Sequence, residues 1–277
     1  MMKNFNRLND VYFKFLLGSP DRQELTLNFI KAFVGEKEMS DVQSLVFIDK
    51  EQGKESFDGR NTLVDVLALM NNGTTVHIEV QVAKDNYIFQ RCLLYWAKQY
   101  GKNLHEGDGF EKLKPLVTIC LCNYNRDSGN ENYYNRYHIY NDTDMTIATN
   151  HLDMIFLELK KFKIANFNHL KDSDRWLAYL SNLGNTKERS VIMDSDVMRE
   201  VDDAEKRFLG DWGLYTEYLN REFAKRDKRS QLLTAQNDWK RDVVNNMKKE
   251  NFTINQISRA LNLSVDEIQS LLMTDKA

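Results

Sequence analysis

The stretch that decides the fold is Leu63-Val64-Asp65-Val66-Leu67-Ala68-Leu69-Met70, then Asn71-Asn72-Gly73, then Thr74-Thr75-Val76-His77-Ile78-Glu79-Val80-Gln81-Val82. Two apolar, β-branched runs flank a short turn, and each carries one carboxylate. A charge inside such a run is costly to bury without a partner or a metal. A three-residue loop at Asn71-Asn72-Gly73 pairs Met70 with Thr74, sets Asp65 opposite Glu79 and sets Leu63 opposite Gln81. Gly73 suits the left-handed position that closes such a loop. A two-residue turn would shift the register by one and send the two acids to opposite faces. In the first register the pair reads as a metal site on a β-hairpin. The other face, Val64, Val66, Ala68, Val76, Ile78, Val80 and Val82, is wholly apolar and is expected to be buried. The acidic face carries Leu67 and Leu69 as well, which suggests a central hairpin in a covered sheet.

Working outward, the 277 residues suffice for one large domain or two modest ones. An apolar fraction of 42% supports a real core, and a net charge of −3 gives no global basic excess for nucleic acid. Contact with DNA would need a local basic patch, or metal ions bridging acids to phosphate. Pro20 and Pro115 are the only prolines, so long helices are expected. Cys92, Cys120 and Cys122 lack metal-site spacing and read as free thiols of a reducing compartment. The N-terminal residues carry no apolar signal core and no run reaches membrane-spanning length, so the expectation is a cytoplasmic protein without a membrane partner.

Along the chain, residues 20–34 read as a helix capped by Ser19, begun by Pro20 and stopped by Gly35, with Leu25, Phe29 and Phe33 on its apolar face. Residues 10–17 suit a short helix and 45–48 a strand. Ile88, Cys92, Tyr95 and Trp96 give 85–105 helical spacing. Leu116 to Cys122 reads as a buried strand, and 137–140 with 155–159 as a further pair. From about 165 the pattern is helical. The expected organisation is therefore a domain over 1–160 and a helical region over 161–277.

Asp65, thirteen residues, then Glu79-Val80-Gln81, set in helix-strand-strand-strand-helix-strand order, resembles the PD-(D/E)xK nuclease superfamily. Asp10-x-x-Phe13-Lys14, Ile78-Glu79-Val80-Gln81, Arg91 followed by Tyr95 and Tyr100, and Leu113-Lys114-Pro115 resemble more particularly its nuclease family transposases. The resemblance covers residues 8–160 and, more loosely, the helical tail. It implies a restriction-endonuclease-like α/β core, a mixed sheet flanked by helices, acting on DNA with Mg²⁺, or Mn²⁺ in its place. Asp65 and Glu79 would hold the metal, with the backbone carbonyl of Val80 as a third ligand by analogy. Such a metal lowers the pKa of a bound water and neutralises charge on the scissile phosphate. Gln81 stands where the superfamily usually has Lys. It can orient a reactant through its amide but brings no positive charge, which Lys14 or Lys84 would have to supply. Asp10 is a candidate further acid.

Each residue also has a plainer reading. Asp65 could be a structural acid bonded to backbone amides. His77 shares the acidic face as an ordinary neighbour, and Tyr95 and Trp96 read as core. Arg91 suits a phosphate contact and, equally, an ion pair with Glu79 or a surface acid. Asp10 and Lys14 have the spacing of a helical ion pair. In the tail, Lys225-Arg226-Asp227-Lys228-Arg229 and Lys240-Arg241 are interleaved with acids, as on a solvated helix face. Thr253 with Gln256 and Ser264 with Glu267 form two capping boxes around Leu261-Asn262-Leu263, a helix-turn-helix in outline. Asp266 and Glu267 at the second helix's start oppose entry into DNA, so a packing or partner-binding element is the reading preferred there.

The expectation is a metal-dependent DNA endonuclease with a transposase-like role in recombination, Asp65, Glu79 and Gln81 carrying the chemistry. Asp10, Lys14 and Arg91 are accessory candidates, and homo-oligomerisation is left open. The rivals are a weakened accessory protein that binds DNA without cutting, and an interaction protein working through its helical tail.

Overall fold

The computed structural model describes residues 5–48 and 66–273. A six-stranded sheet is built from β1 (Leu45–Phe47), β2 (Val66–Met70), β3 (Thr75–Gln81), β4 (Leu116–Cys122), β5 (Tyr134–Tyr140) and β6 (Ile147–Glu158), in the order β1-β2-β3-β4-β6-β5. β3, β4 and β6 run parallel, and the remaining pairs are antiparallel. The parallel strands need both faces covered, which explains why β4, apolar except for Thr118, is buried along its whole length.

The hairpin takes the register that the carboxylate pairing requires. Val66 lies opposite Ile78, Ala68 opposite Val76 and Leu69 opposite Thr75. Met70 N–H donates to the Thr74 carbonyl at 2.9 Å, and Gly73 closes the loop at φ +88°. Val66, Ala68, Val76 and Ile78 are buried as expected. Val80 is half-buried and Val82 is 37% exposed. The apolar stripe is therefore not covered to its end, because β3 pairs only as far as Gln81.

α1 (Asp10–Leu17), α2 (Gln23–Val34) and α3 (Ile88–Lys102) follow the sequence pattern. Ser19 does not cap through its side chain. Pro20–Arg22 instead forms a 3₁₀ turn, closed by Arg22 N–H on the Ser19 carbonyl at 3.0 Å, before α2 begins. Gly35 ends α2 at φ +123°. α3 packs on one sheet face, where Ile88 and Cys92 meet Cys120, Cys122, Met154 and Phe156. α2 lies on the other, its Phe33 and Val34 carbonyls accepting from Tyr134 Oη at 2.9 Å and Arg136 Nη1 at 3.2 Å. β6 starts earlier than the pattern at 155–159 suggests, since its first half pairs with β5 across an exposed turn.

Helices follow to the end: α4 (Asp172–Leu180), α5 (Thr186–Ile192), α6 (Asp196–Gly210), α7 (Trp212–Lys249), α8 (Ile254–Leu261) and α9 (Val265–Met273). Two compact units result, one ending at Tyr218 and one beginning at Leu219. In the first, Trp176 of α4 meets Phe29 of α2 edge-on at 5.3 Å, and Phe208 of α6 meets Tyr12 and Phe15 of α1 at 5.0 and 5.1 Å. A buried ion pair joins Arg7 to Glu205 at 2.7 Å, and Tyr179 Oη donates to the same carboxylate at 2.6 Å. In the second, Val244, Ile257 and Ile268 form a small core where the end of α7 meets α8 and α9. Both expected capping boxes are present there, and Asn262 takes the left-handed conformation between the two helices. No helix among the described residues is long and apolar enough to cross a membrane.

Candidate active site

Alternation along β3 puts His77, Glu79 and Gln81 on the face that α3 covers. In the parallel register their neighbours on β4 are Thr118, Cys120 and Cys122. Glu79 is only 5% exposed, so its charge needs compensation, and Arg91 supplies it from α3. The Arg91 Nη2 donates to Glu79 Oε1 at 2.8 Å and to Gln81 Oε1 at 2.6 Å, while Nη1 donates to Asp85 Oδ2 at 3.0 Å. One guanidinium fork thus gathers three acceptors. Burial works against its positive charge, yet Glu79, Tyr95 and Asp85 outweigh that and raise its pKa above the ordinary arginine value.

The loop between β3 and α3 aims this fork. Asp85 Oδ1 accepts from Tyr87 N–H at 2.8 Å, an Asx turn that starts the helix, and Arg91 N–H returns to the Tyr87 carbonyl at 2.9 Å. Arg91 is therefore about one turn into α3, over the end of β3. The Gln81 amide is held at both ends, its Nε2 donating to the Ala83 carbonyl at 3.1 Å.

Several buried polar atoms here have no hydrogen-bond partner among the described residues: Glu79 Oε2, His77 Nε2, Thr118 Oγ1 and Arg91 Nε. Glu79 Oε2 and His77 Nε2 are 3.6 Å apart. Buried polar atoms in folded chains are nearly always satisfied, so these atoms have unused capacity for a water, an ion or a residue outside the described ones. Among the described residues, no three His, Cys, Asp or Glu side chains gather into a metal-holding group. The open Glu79 oxygen nonetheless fits a hard cation that takes further oxygen donors from elsewhere in the chain.

The remaining candidates are placed as follows. Asp65 lies outside the described residues. Val80 stands opposite Leu121 in the β3–β4 ladder. Asp10 and Lys14 are half-buried on α1, whose main packing partners are α2 and α6. Lys84 is exposed in the loop after β3. Of the two readings open for Arg91, the ion pair with Glu79 is the one formed. Trp96 is half-buried against the core and donates Nε1 to the Leu116 carbonyl at 3.1 Å. Sequence reasoning missed Asp85. Its signal was local: Asp two residues before Tyr87 is a helix-start pattern, and Arg91 follows six residues later.

The model of the PD-(D/E)XK nuclease family transposases matches residues 7–235 of 277. The chain belongs to this family. The match takes in the whole sheet, α1 to α6 and most of α7, and it leaves α8 and α9 outside. The mixed sheet with flanking helices is the α/β fold that the family resemblance implied, and the family makes the chain nuclease- and transposase-like. No curated protein and no solved structure gives a significant match.

Proposed function

We propose that this nuclease family transposase is a metal-dependent DNA endonuclease acting in recombination, with its cutting site around Glu79. The observation that carries the reading is the buried Glu79 carboxylate, one oxygen held by Arg91 and the other, 3.6 Å from His77 Nε2, with no hydrogen-bond partner among the described residues. Asp65 and Glu79, with the Val80 carbonyl, would hold Mg²⁺ or Mn²⁺. When bound, the ion supplies charge neutralisation at phosphate and a lowered pKa for water. Water's oxygen joins phosphorus, the phosphorus–oxygen bond to the leaving group breaks, and the departing oxygen takes up a proton.

The chain's own residues divide the remaining work. Arg91 brings the positive charge that Gln81 lacks and is a group able to meet phosphate oxygen. Gln81 acts as a positioning residue, since its carbonyl oxygen fixes the guanidinium and its amide nitrogen is tied to Ala83. Asp85 sets the second arm of the fork. Asp10 and Lys14 are proposed as accessory groups only. The same tethering of Gln81 favours one rival, an accessory protein that binds DNA without cutting, because a tethered amide does not orient a reactant.

Supercoiled plasmid incubated with Mg²⁺ separates the two. The native chain should nick the plasmid, and EDTA, Asp65→Asn or Glu79→Gln should each stop it. A folded native chain that leaves plasmid intact across Mg²⁺ and Mn²⁺ would establish the accessory reading instead.

A further inference from the structure

The charge of this chain is unevenly divided. Residues 219–277 hold eleven Lys and Arg against eight Asp and Glu, net +3, so with −3 overall the rest of the chain is net −6. A unit of that sign repels a polyanionic substrate. The positive excess is concentrated on α7, where the nine residues 221–229 hold Arg221, Lys225, Arg226, Lys228 and Arg229 with Glu222 and Asp227.

Helical geometry sorts these charges. At 3.6 residues per turn, Arg221, Lys225, Lys228 and Arg229 fall within about 100° of one another around the axis. Asp227 lies on the opposite side and Glu222 at the margin, where it meets Lys225 at 3.9 Å. Arg226 leans away over the Phe223 ring at 5.9 Å. Glu217, one turn before Arg221, and Glu222 border the stripe at its two edges, and Asp227 lies off it. Every residue from 223 to 239 is exposed, so the stripe stands in solvent. A second copy packing along this face would need an apolar seam at heptad spacing, and Lys225 and Lys228 occupy that seam between Tyr218 and Leu232. The chemistry that matches four cations spread over about 12 Å of helix is a row of backbone phosphates.

We infer that the Arg221, Lys225, Lys228 and Arg229 face of α7 binds the phosphate backbone of duplex DNA, without reading sequence. The choice of DNA as the polyanion rests on the nuclease reading. The stripe holds substrate, and the chemistry stays at Glu79.

Fluorescence anisotropy with a fluorescein-labelled, mixed-sequence duplex of about 20 base pairs tests this on the full chain, in EDTA so that no cutting occurs. The combined variant Arg221→Gln, Lys225→Gln, Lys228→Gln, Arg229→Gln keeps helix-forming side chains, and circular dichroism checks that helix content is retained. It should bind roughly tenfold or more weaker at moderate salt, with the slope of log affinity against log salt lowered by about 2 to 4. A charge-matched control, Lys37→Gln, Lys102→Gln, Lys160→Gln, Lys163→Gln, should change both far less. Equal losses in the two variants, no binding by the native chain, or binding to anionic lipid vesicles in preference to duplex would each overturn the inference. Glu79→Gln keeps the two readings apart. It should bind duplex like the native chain, and if it still cuts plasmid, the assignment of the cutting site fails while the stripe stands.

Discussion

In the proposed site, Arg91 takes by geometry the role of a lysine two residues after the acid. Its fork bridges Glu79, Gln81 and Asp85 from two separate nitrogens, and the single nitrogen of a lysine cannot occupy both positions. Arg91→Lys should therefore keep the fold and the unit charge, lose the fork, and slow plasmid cleavage. Arg91→Gln should slow it by about 10²- to 10³-fold, the scale of losing a preorganised charge or donor. Because Glu79 would then be buried without its partner, the Gln variant should also lose roughly 1–3 kcal/mol in urea denaturation. Equal cleavage by all three chains would remove Arg91 from the site. At this scale the sequence was legible for Glu79 and Gln81, whose alternation put them on one face. The fork itself was open, because whether Arg91 meets phosphate or carboxylate depends on where α3 crosses the sheet, and helical periodicity does not encode that.

At the scale of elements, the hairpin was the best-read part of the chain, since alternation and one glycine jointly determine its register. Gly73 sits at φ +88°, and a Cβ there would come within 3.3 Å of the Lys114 side chain. Gly73→Ala should cost about 1–2 kcal/mol, because the left-handed conformation is unfavourable for a residue with a Cβ. Nicking should be read alongside stability, since a loop that relaxes by one residue would shift β2 against β3, which β4 holds in register, and turn the β2 side chains to the opposite face. Unchanged stability in this variant would show that the turn is not strained. Asn71 also ties the turn to the approach to β1, its Oδ1 accepting from Gln43 and Ser44 N–H at 2.9 and 3.1 Å. Such ties were not legible, because they join polar loop residues nearly thirty positions apart. The exposure of Val82 was missed for a related reason, since an apolar stripe does not say where the pairing strand stops.

For the whole molecule, the shift from strands to helices near residue 160 marks a change of element type within a compact unit that runs on to Tyr218. α4 and α6 bury their apolar faces against α1 and α2, and the Arg7–Glu205 pair locks that layer from within. Nothing local announces the lock, since its partners are 198 positions apart. Arg7→Met should strand the Glu205 charge and destabilise the chain by about 3–5 kcal/mol, measured by urea or thermal unfolding. A loss near zero would mean that solvent reaches Glu205 and the clasp is not closed. The same clasp imposes a timetable. Asn6 N–H donates to Tyr218 Oη at 2.8 Å, so residues near the start wait for partners made some two hundred positions later. At about 5–20 residues per second, that wait on the ribosome is on the order of 10–40 s. During it Arg7 has no Glu205 and α1 no Phe208 to close on, so the first half of the fold emerges in the cell before its scaffold can set.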